Sequence, residues 1–196
     1  MPRVIIFAED AAHEVFVGPL VRRIAKEHDT PVEVSFRSAS GGFGRVLNEL
    51  NVYVRDLRRG LENLPDLLIA CVDGNCKGYV ERRNETQEAI GDFPASVIFA
   101  IPDPHVERWF LLDSGAFRSA VGQGCPAPPQ KCERHLFKKL LLDAVVSAGI
   151  RPPLGGIEYA EEIVNEMDLE HLRLSDASLG RLIDDLENRF TEWRNP

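Results

Sequence analysis

Short apolar runs alternate with longer stretches of helical periodicity along the first part of the chain. We interpret each short run as a strand, and the four predicted strands are residues 3–8, 31–37, 66–72 and 95–101. The stretches between and after them are compatible with helices, at residues 11–27, 45–59, 78–90 and 104–113. Strands that are apolar throughout and alternate with helices predict a parallel sheet covered on both faces.

The pattern changes after Gly122. A loop rich in proline and glycine, GQGCPAPPQK, precedes three further predicted helices at residues 132–148, 157–166 and 178–193. The fold prediction is therefore α/β, with a Rossmann-like parallel sheet of about four strands, flanking helices and a helical C-terminal extension. Residues 1–121 would form the core, and residues 122–196 a loop and helices packed on it within one domain.

The charge balance restricts the functional classes. The 196 residues include 31 acidic and 23 basic side chains, a net charge of −8. This balance argues against strong unaided binding to nucleic acid, because contacts to phosphates dominate such binding. An enzyme that meets its substrate through divalent cations remains compatible with it.

No apolar run approaches the roughly 20 residues needed to cross a membrane, and the N-terminus lacks the pattern of a signal peptide. We therefore expect a cytoplasmic protein without a membrane partner. In that setting the four cysteines, Cys71, Cys76, Cys125 and Cys132, are expected to be free thiols. Their spacings are wider than those usual in zinc sites.

Acidic and amide side chains follow three of the predicted strands. They are Glu9 and Asp10 after the first strand, Asp73 and Asn75 after the third, and Asp103 and Glu107 after the fourth. Ligands of open α/β sheets bind outside the carboxyl ends of the strands, and Mg²⁺ prefers oxygen ligands. The sequence therefore favours a magnesium site at this edge, although helix capping explains any one of these positions equally well.

Three segments together resemble Toprim domains. FAEDAAHEVF is similar to their glutamate motif, VDGN to their Asp-x-Asp motif, and PDPHVERWFLLD to the segment after the fourth strand in small bacterial Toprim-like proteins. The segments occur in the family's order, and the helical tail also fits those proteins, which are related to overcoming-lysogenisation-defect nucleases. The resemblance implies metal-dependent hydrolysis of phosphodiester bonds in DNA or RNA, in bacterial antiviral defence.

The resemblance also implies roles for individual residues. Glu9 would be a metal ligand or general acid/base, Asp73 the principal ligand of Mg²⁺ or Mn²⁺, and Glu107 a ligand of a second ion. Asn75 and Asp103 would complete the metal site. Lysines would neutralise charge on the phosphate; the best placed is Lys77, and the other candidates are Lys131 and Lys138, of which we interpret Lys138 as part of a solvated face.

The chain departs from the family pattern at three positions. Asp10 stands where the family has glycine, His13 where it has a second acid, and Asn75 where it has a second aspartate. Glu14 is an alternative for the acid, and we interpret His13 as a helix-surface residue rather than a metal ligand. These departures are compatible with an altered metal preference, with single-metal chemistry, or with an inactive domain that is kept for binding.

Two other functions remain in consideration. One is a non-catalytic interaction or regulatory subunit of an ATPase-containing complex, which Asn75 and the acidic charge support. An exposed apolar patch on the helical tail would indicate its partner surface, formed by Leu169, Leu172, Leu174 and Leu179. The other is a flavodoxin-like or receiver-like regulatory domain, although the lysine expected after a later strand of a receiver is not evident.

Overall fold

The described part of the chain contains one four-stranded sheet whose strands are all parallel. A computed structural model describes residues 1–39, 41–129, 131–133 and 135–195. The strands are β1 (Arg3–Ala8), β2 (Glu33–Ser38), β3 (Leu67–Cys71) and β4 (Ser96–Ala100), in the spatial order β2-β1-β3-β4. This sheet and its flanking helices confirm the predicted α/β, Rossmann-like fold.

Alternate side chains of the strands enter two separate hydrophobic clusters. In β1, Val4 and Ile6 join the cluster on one face, whereas Ile5 and Phe7 join the other. The first cluster includes helix α1 (Ala11–Glu27); the second includes α2 (Phe43–Arg58) and α3 (Gly78–Ile90). Both faces of the sheet are therefore covered, as continuously apolar strands require.

Among the described residues, six further α-helices follow β4, and each contributes to the cluster on the face that carries α1. They are α4 (Val106–Phe110), α5 (Ser114–Val121), α6 (Leu136–Ser147), α7 (Ala160–Glu166), α8 (Leu169–Ser175) and α9 (Ala177–Arg194). Within the described part of the chain, no helix is both long and apolar enough to cross a membrane.

Several helices differ from the prediction. The predicted helix at residues 104–113 spans only Val106–Phe110, and two helices, α5 and α8, were not predicted. The side chain of Asp113 accepts hydrogen bonds from the backbone N–H groups of Gly115 and Ala116 and so starts α5. The predicted helix at residues 132–148 begins only at Leu136.

The expectation of four free thiols is wrong for two of the cysteines. Cys76 and Cys132 form a disulfide, whereas Cys71 and Cys125 are free and buried in the described structure. Sequence spacing did not indicate this pair, because 56 positions separate its members.

The strand order opens a crevice at the carboxyl edge of the sheet. From β1 the chain moves outward to β2 on one side, and it then returns to β3 on the other side of β1. The loops after β1 and β3 therefore leave in opposite directions and open a crevice between them. Gly74 lets the loop after β3 approach the loop after β4, since a Cβ atom there would lie 2.8 Å from the carbonyl oxygen of Pro102.

Candidate functional site

A cleft of about 300 Å³ lies at this crevice, and four carboxylates line it. Glu9 and Asp10 reach it from the end of β1, Asp73 from the end of β3, and Glu107 from α4. The sequence placed these acids at one edge of the sheet, and the structure brings them into one cavity.

Asp73 is held by groups from two other segments. Its Oδ1 accepts the backbone N–H of Val106 at 2.9 Å, and its Oδ2 lies 2.8 Å from Nδ1 of His105. Nε2 of His13 lies 3.3 Å from Oδ1, a distance of electrostatic attraction without the geometry of a hydrogen bond. Burial alone would raise the pKa of Asp73, but its contacts with His105 and His13 hold that pKa far below its usual value.

His13 is fully buried beneath the cleft, so its interpretation as a helix-surface residue is wrong. Its Nδ1 lies 2.9 Å from Oδ1 of Asp10, which also caps α1 through the backbone N–H groups of Ala12 and His13. Burial opposes charging of the imidazole, but Asp10 and Asp73 outweigh it and raise the pKa of His13 to about 10. The two carboxylates therefore favour the charged form of the His13 imidazole.

Glu9 and Glu107 differ from Asp73, because their pKa values are raised rather than lowered. Oε2 of Glu9 accepts the backbone N–H of Asp73 at 2.9 Å, yet burial, with the negative charge of Asp73 adding to it, raises the pKa of Glu9. Burial and the charge of Asp73 likewise raise the pKa of Glu107. Two carboxylates of the cleft are thus disfavoured in their ionised form.

Glu107 is the least satisfied of these acids. Its side chain is only 3% exposed, and its Oε1 lies 3.4 Å from Nζ of Lys138. Its Oε2 is buried and has no hydrogen-bond partner among the residues that the structure describes. A buried polar atom without a partner is costly, so its persistence in a cavity calls for a functional explanation.

Lys138 contributes the nearest positive charge that remains accessible. Its ammonium lies 3.4 Å from Oε1 of Glu107 and 3.9 Å from Oδ2 of Asp10, at the start of α6. The lysine that we interpreted as part of a solvated face therefore lines the cleft, and its ammonium marks a position between two carboxylates that favours a cation.

The remaining predicted residues divide between this cleft and its surroundings. Asn75 lines the cleft, and its Nδ2 donates to the backbone oxygen of Asp73 at 3.3 Å. Asp103 is exposed and lines a neighbouring cavity instead, together with Lys77 and Lys131. The ammonium of Lys77 lies 2.6 Å from Glu81 and 2.7 Å from Glu85, on the helix that follows it.

Sequence reasoning missed the two histidines that hold Asp73. A signal for His13 was present, because it precedes Phe16 and Val17 by three and four residues and so belongs to the buried face of α1. His105 carried no comparable signal, since its contact with Asp73 joins the loops after two different strands.

Searches against protein-family models, curated proteins and solved structures find no match to this chain. The resemblance to Toprim domains therefore stays a prediction from the sequence. Among the residues that the structure describes, no three His, Cys, Asp or Glu side chains are grouped so as to hold a metal ion. Any function must accordingly be argued from the cleft itself.

Proposed function

We propose that the cleft binds Mg²⁺ or Mn²⁺ and hydrolyses phosphodiester bonds of nucleic acid, as a Toprim-like enzyme. The observation that carries this proposal is the Glu107 carboxylate. It is buried at the edge of the sheet where α/β proteins bind ligands, and its Oε2 lacks a partner among the described residues. A divalent cation would offset both its charge and that of the neighbouring acids.

The residues present fit such an ion in donor type. Mg²⁺ is commonly held by one or two carboxylates, with waters and substrate oxygens completing its coordination, so three converging protein ligands are not required. Glu107 and Asp73 would hold it. Each carboxylate oxygen has two lone pairs, and Oδ2 of Asp73 uses one of them for His105. When bound, the ion would polarise a phosphate oxygen and make a coordinated water more acidic.

The chain's own side chains would orient the substrate and move protons. His13 and His105 fix the position of the Asp73 carboxylate, which limits the reorganisation needed during reaction. Lys138 projects into the same cavity and would neutralise charge on phosphate oxygens. The raised pKa of Glu9 brings its carboxylate closer to neutral pH, where it would accept a proton more readily from an attacking water.

The broader setting of the proposal follows the same resemblance. We place the enzyme in the cytoplasm, in bacterial antiviral defence, with DNA or RNA as substrate. The acidic net charge of −8 fits a substrate that is met through a cation rather than through a large basic surface.

The interaction subunit of an ATPase-containing complex is the alternative, and one feature expected of it is missing. The suggested patch on the helical tail is not exposed, because Leu169, Leu172 and Leu179 are buried and only Leu174 faces solvent. Asn75 remains the observation that supports the alternative. An inactive site would keep the fold without needing the Glu107 carboxylate.

Calorimetric titration of Mg²⁺ and Mn²⁺, with cleavage assays on the same samples, tests the proposal. Glu107→Gln and Asp73→Asn should each weaken metal binding at least about tenfold and reduce cleavage with it. Glu161→Gln, on the exposed surface of α7, is the matched control and should change neither. Absence of metal binding by the unmodified protein would contradict the proposal and favour the interaction subunit.

A further inference from the structure

An apolar pocket adjoins the carboxylate cleft and shares part of its lining. The pocket has a volume of about 470 Å³, and Asp10, Glu107, His135 and Lys138 line both it and the cleft. The carboxylate of Glu107, whose Oε2 lacks a partner among the described residues, therefore borders both cavities. A ligand that reaches this carboxylate in the cleft can extend directly into the apolar pocket.

Three segments of the chain build the rest of the apolar pocket, and apart from Lys139 they line it with aliphatic side chains and a glycine. The start of α1 contributes Ala11 and Ala12, α6 contributes Leu141 and Leu142, and the segment between α6 and α7 contributes Leu154 and Ile157. Leu141 is buried, but Leu142 is 39% and Leu154 63% exposed. These two leucines leave apolar surface in contact with water, and an apolar group of a ligand would cover it.

The segment between α6 and α7 is held against α6, so the apolar pocket is preformed. A Cβ atom at Gly156 would lie 3.0 Å from side-chain atoms of both Leu141 and Val145, because the backbone packs closely on α6 at this point. The carboxylate of Glu158 also accepts the backbone N–H groups of Leu154 and Gly156, at 3.4 and 2.9 Å. These contacts do not use the side chain of Leu154, which can therefore be substituted without releasing the segment.

A nucleobase matches the chemistry of the apolar pocket. Its two faces are apolar and its edges carry hydrogen-bonding groups, so the leucines would cover a face while Asp10 and Lys139 offer polar partners. Because one sugar joins a base to its phosphate, a phosphate beside Lys138 in the cleft would bring its base to the adjoining pocket. A base that is paired within a duplex must first leave the stack to enter such a pocket.

We propose that the apolar pocket binds the unpaired base of the nucleotide whose phosphate lies in the cleft, so that the substrate is single-stranded nucleic acid. This inference rests on the proposed function for the phosphate and adds the substrate class to it. Leu142 and Leu154 are the specificity-determining residues, because their exposed side chains line the pocket and would contact the base.

Binding is measured by fluorescence anisotropy with labelled oligonucleotides of DNA and of RNA in Mg²⁺, each as a single strand and as a duplex. The single strand should bind at least about tenfold more tightly than the duplex. A Leu142→Gln/Leu154→Gln double variant should lose most of this difference. Leu174→Gln, at an exposed leucine of α8 outside the pocket, is the matched control and should keep it. Fluorescence of the buried Trp109 should stay unchanged in both variants, which shows an intact core.

A single strand with one abasic nucleotide tests the base pocket during cleavage. For the unmodified protein, kcat/KM at the phosphate of that nucleotide should fall at least about tenfold relative to the intact strand, mainly through a higher KM. In the Leu142→Gln/Leu154→Gln variant, the abasic and intact strands should be cleaved alike, because the contacts to the base are already lost.

The outcomes separate the pocket from the hydrolysis. Equal affinity of the unmodified protein for single strands and duplexes, or a preference that the double variant keeps, would overturn the base pocket. Metal-dependent cleavage combined with either result would support the proposed function alone. Binding of the single strand that depends on Leu142 and Leu154, without cleavage of any substrate, would support the base pocket and overturn the proposed hydrolysis instead.

Discussion

Glu107 and Arg108 are consecutive residues of α4, but they belong to two different buried polar clusters. The clusters differ in how completely their charged groups are paired. Arg108 forms an ion pair with Asp176, and the other carboxylate oxygen of Asp176 accepts the backbone N–H groups of Ser178 and Leu179 at 3.0 and 2.8 Å. The hydroxyl of Ser178 also donates to Asp176 at 2.7 Å, and it accepts the indole N–H of Trp109 at 2.9 Å. Every charged member of this cluster therefore has partners.

Glu107, one residue earlier, is buried to a similar degree but incompletely paired. Lys138 lies 3.4 Å from one of its oxygens, and the other has no partner in the described part of the chain. Complete pairing indicates that the Asp176 cluster fastens α4 to the start of α9. Incomplete pairing indicates that the cleft is arranged for something besides stability.

The cleft itself contains both kinds of buried carboxylate. Asp73 is paired like Asp176, with His13, His105 and a backbone N–H around it. Its firm placement beside the less satisfied Glu107 is what a site needs if one acid must be fixed and another must take a ligand. Substitutions of Asp176 and of Glu107 should therefore have opposite effects on stability.

The largest effect is expected from Asp176→Ala. The substitution leaves the Arg108 guanidinium buried without its carboxylate and removes the cap of α9. Breaking a buried ion pair from one side costs about 3–5 kcal/mol, so the free energy of unfolding should fall by that amount in denaturant titrations.

Asp168→Ala is the matched control for this loss. Asp168 also caps a helix, α8, by accepting the backbone N–H of His171 at 3.0 Å, but it is exposed and outside any buried cluster. Its removal should cost only about 1 kcal/mol. Equal losses in both variants would mean that capping, rather than the buried pair with Arg108, accounts for the effect.

A second effect should appear as pH dependence arising from His13. Its pKa in the folded protein, about 10, lies above its ordinary value of 6.5. The charged imidazole of His13 therefore stabilises the folded protein fully below about pH 6.5, and this contribution disappears as the pH rises through about 10. Because Asp10 and Asp73 share this interaction, we expect a loss of up to about 3 kcal/mol.

Denaturant titrations at about pH 6 and about pH 9 measure this loss against a His13→Gln variant. At the lower pH, the variant should be less stable than the unmodified protein. Its free energy of unfolding should also decrease less between the two pH values. Other groups that titrate in this range cancel in the comparison. Parallel pH profiles would show that His13 is not charged in the folded protein.

The sequence allowed the sheet to be predicted, since its strands are short apolar runs with helices between them. The gathering of Glu9, Asp73 and Glu107 at one edge also followed, because parallel strands place their carboxyl ends together. The roles of the lysines did not follow. Whether Lys77 or Lys138 reaches the cleft depends on where α6 packs, and the loop before α6 carries no periodic pattern that fixes its path.

The short helix α5 was not predicted either, because Asp113, whose side chain caps its start, was assigned to the end of the preceding helix. The disulfide depends instead on the meeting of two distant loops. What the sequence could not provide were contacts between loops, and those contacts complete the site.

The smallest effect is also the one that most directly separates the two clusters. Glu107→Gln keeps the shape of the side chain and removes a buried charge, so it should raise the free energy of unfolding by about 1 kcal/mol at neutral pH. The pKa of Glu107 is raised in the folded state, so the cost of its ionisation is present at neutral pH and vanishes as the pH falls below 4.5. The gain should therefore disappear in acid.

Denaturant titrations at neutral and acidic pH measure this gain in the free energy of unfolding. The exposed Glu161→Gln variant is the control and should stay within about 0.5 kcal/mol of the unmodified protein. A loss of stability on Glu107→Gln would place this acid with Asp176 as a structural residue, and the case for a ligand in the cleft would lose its main support.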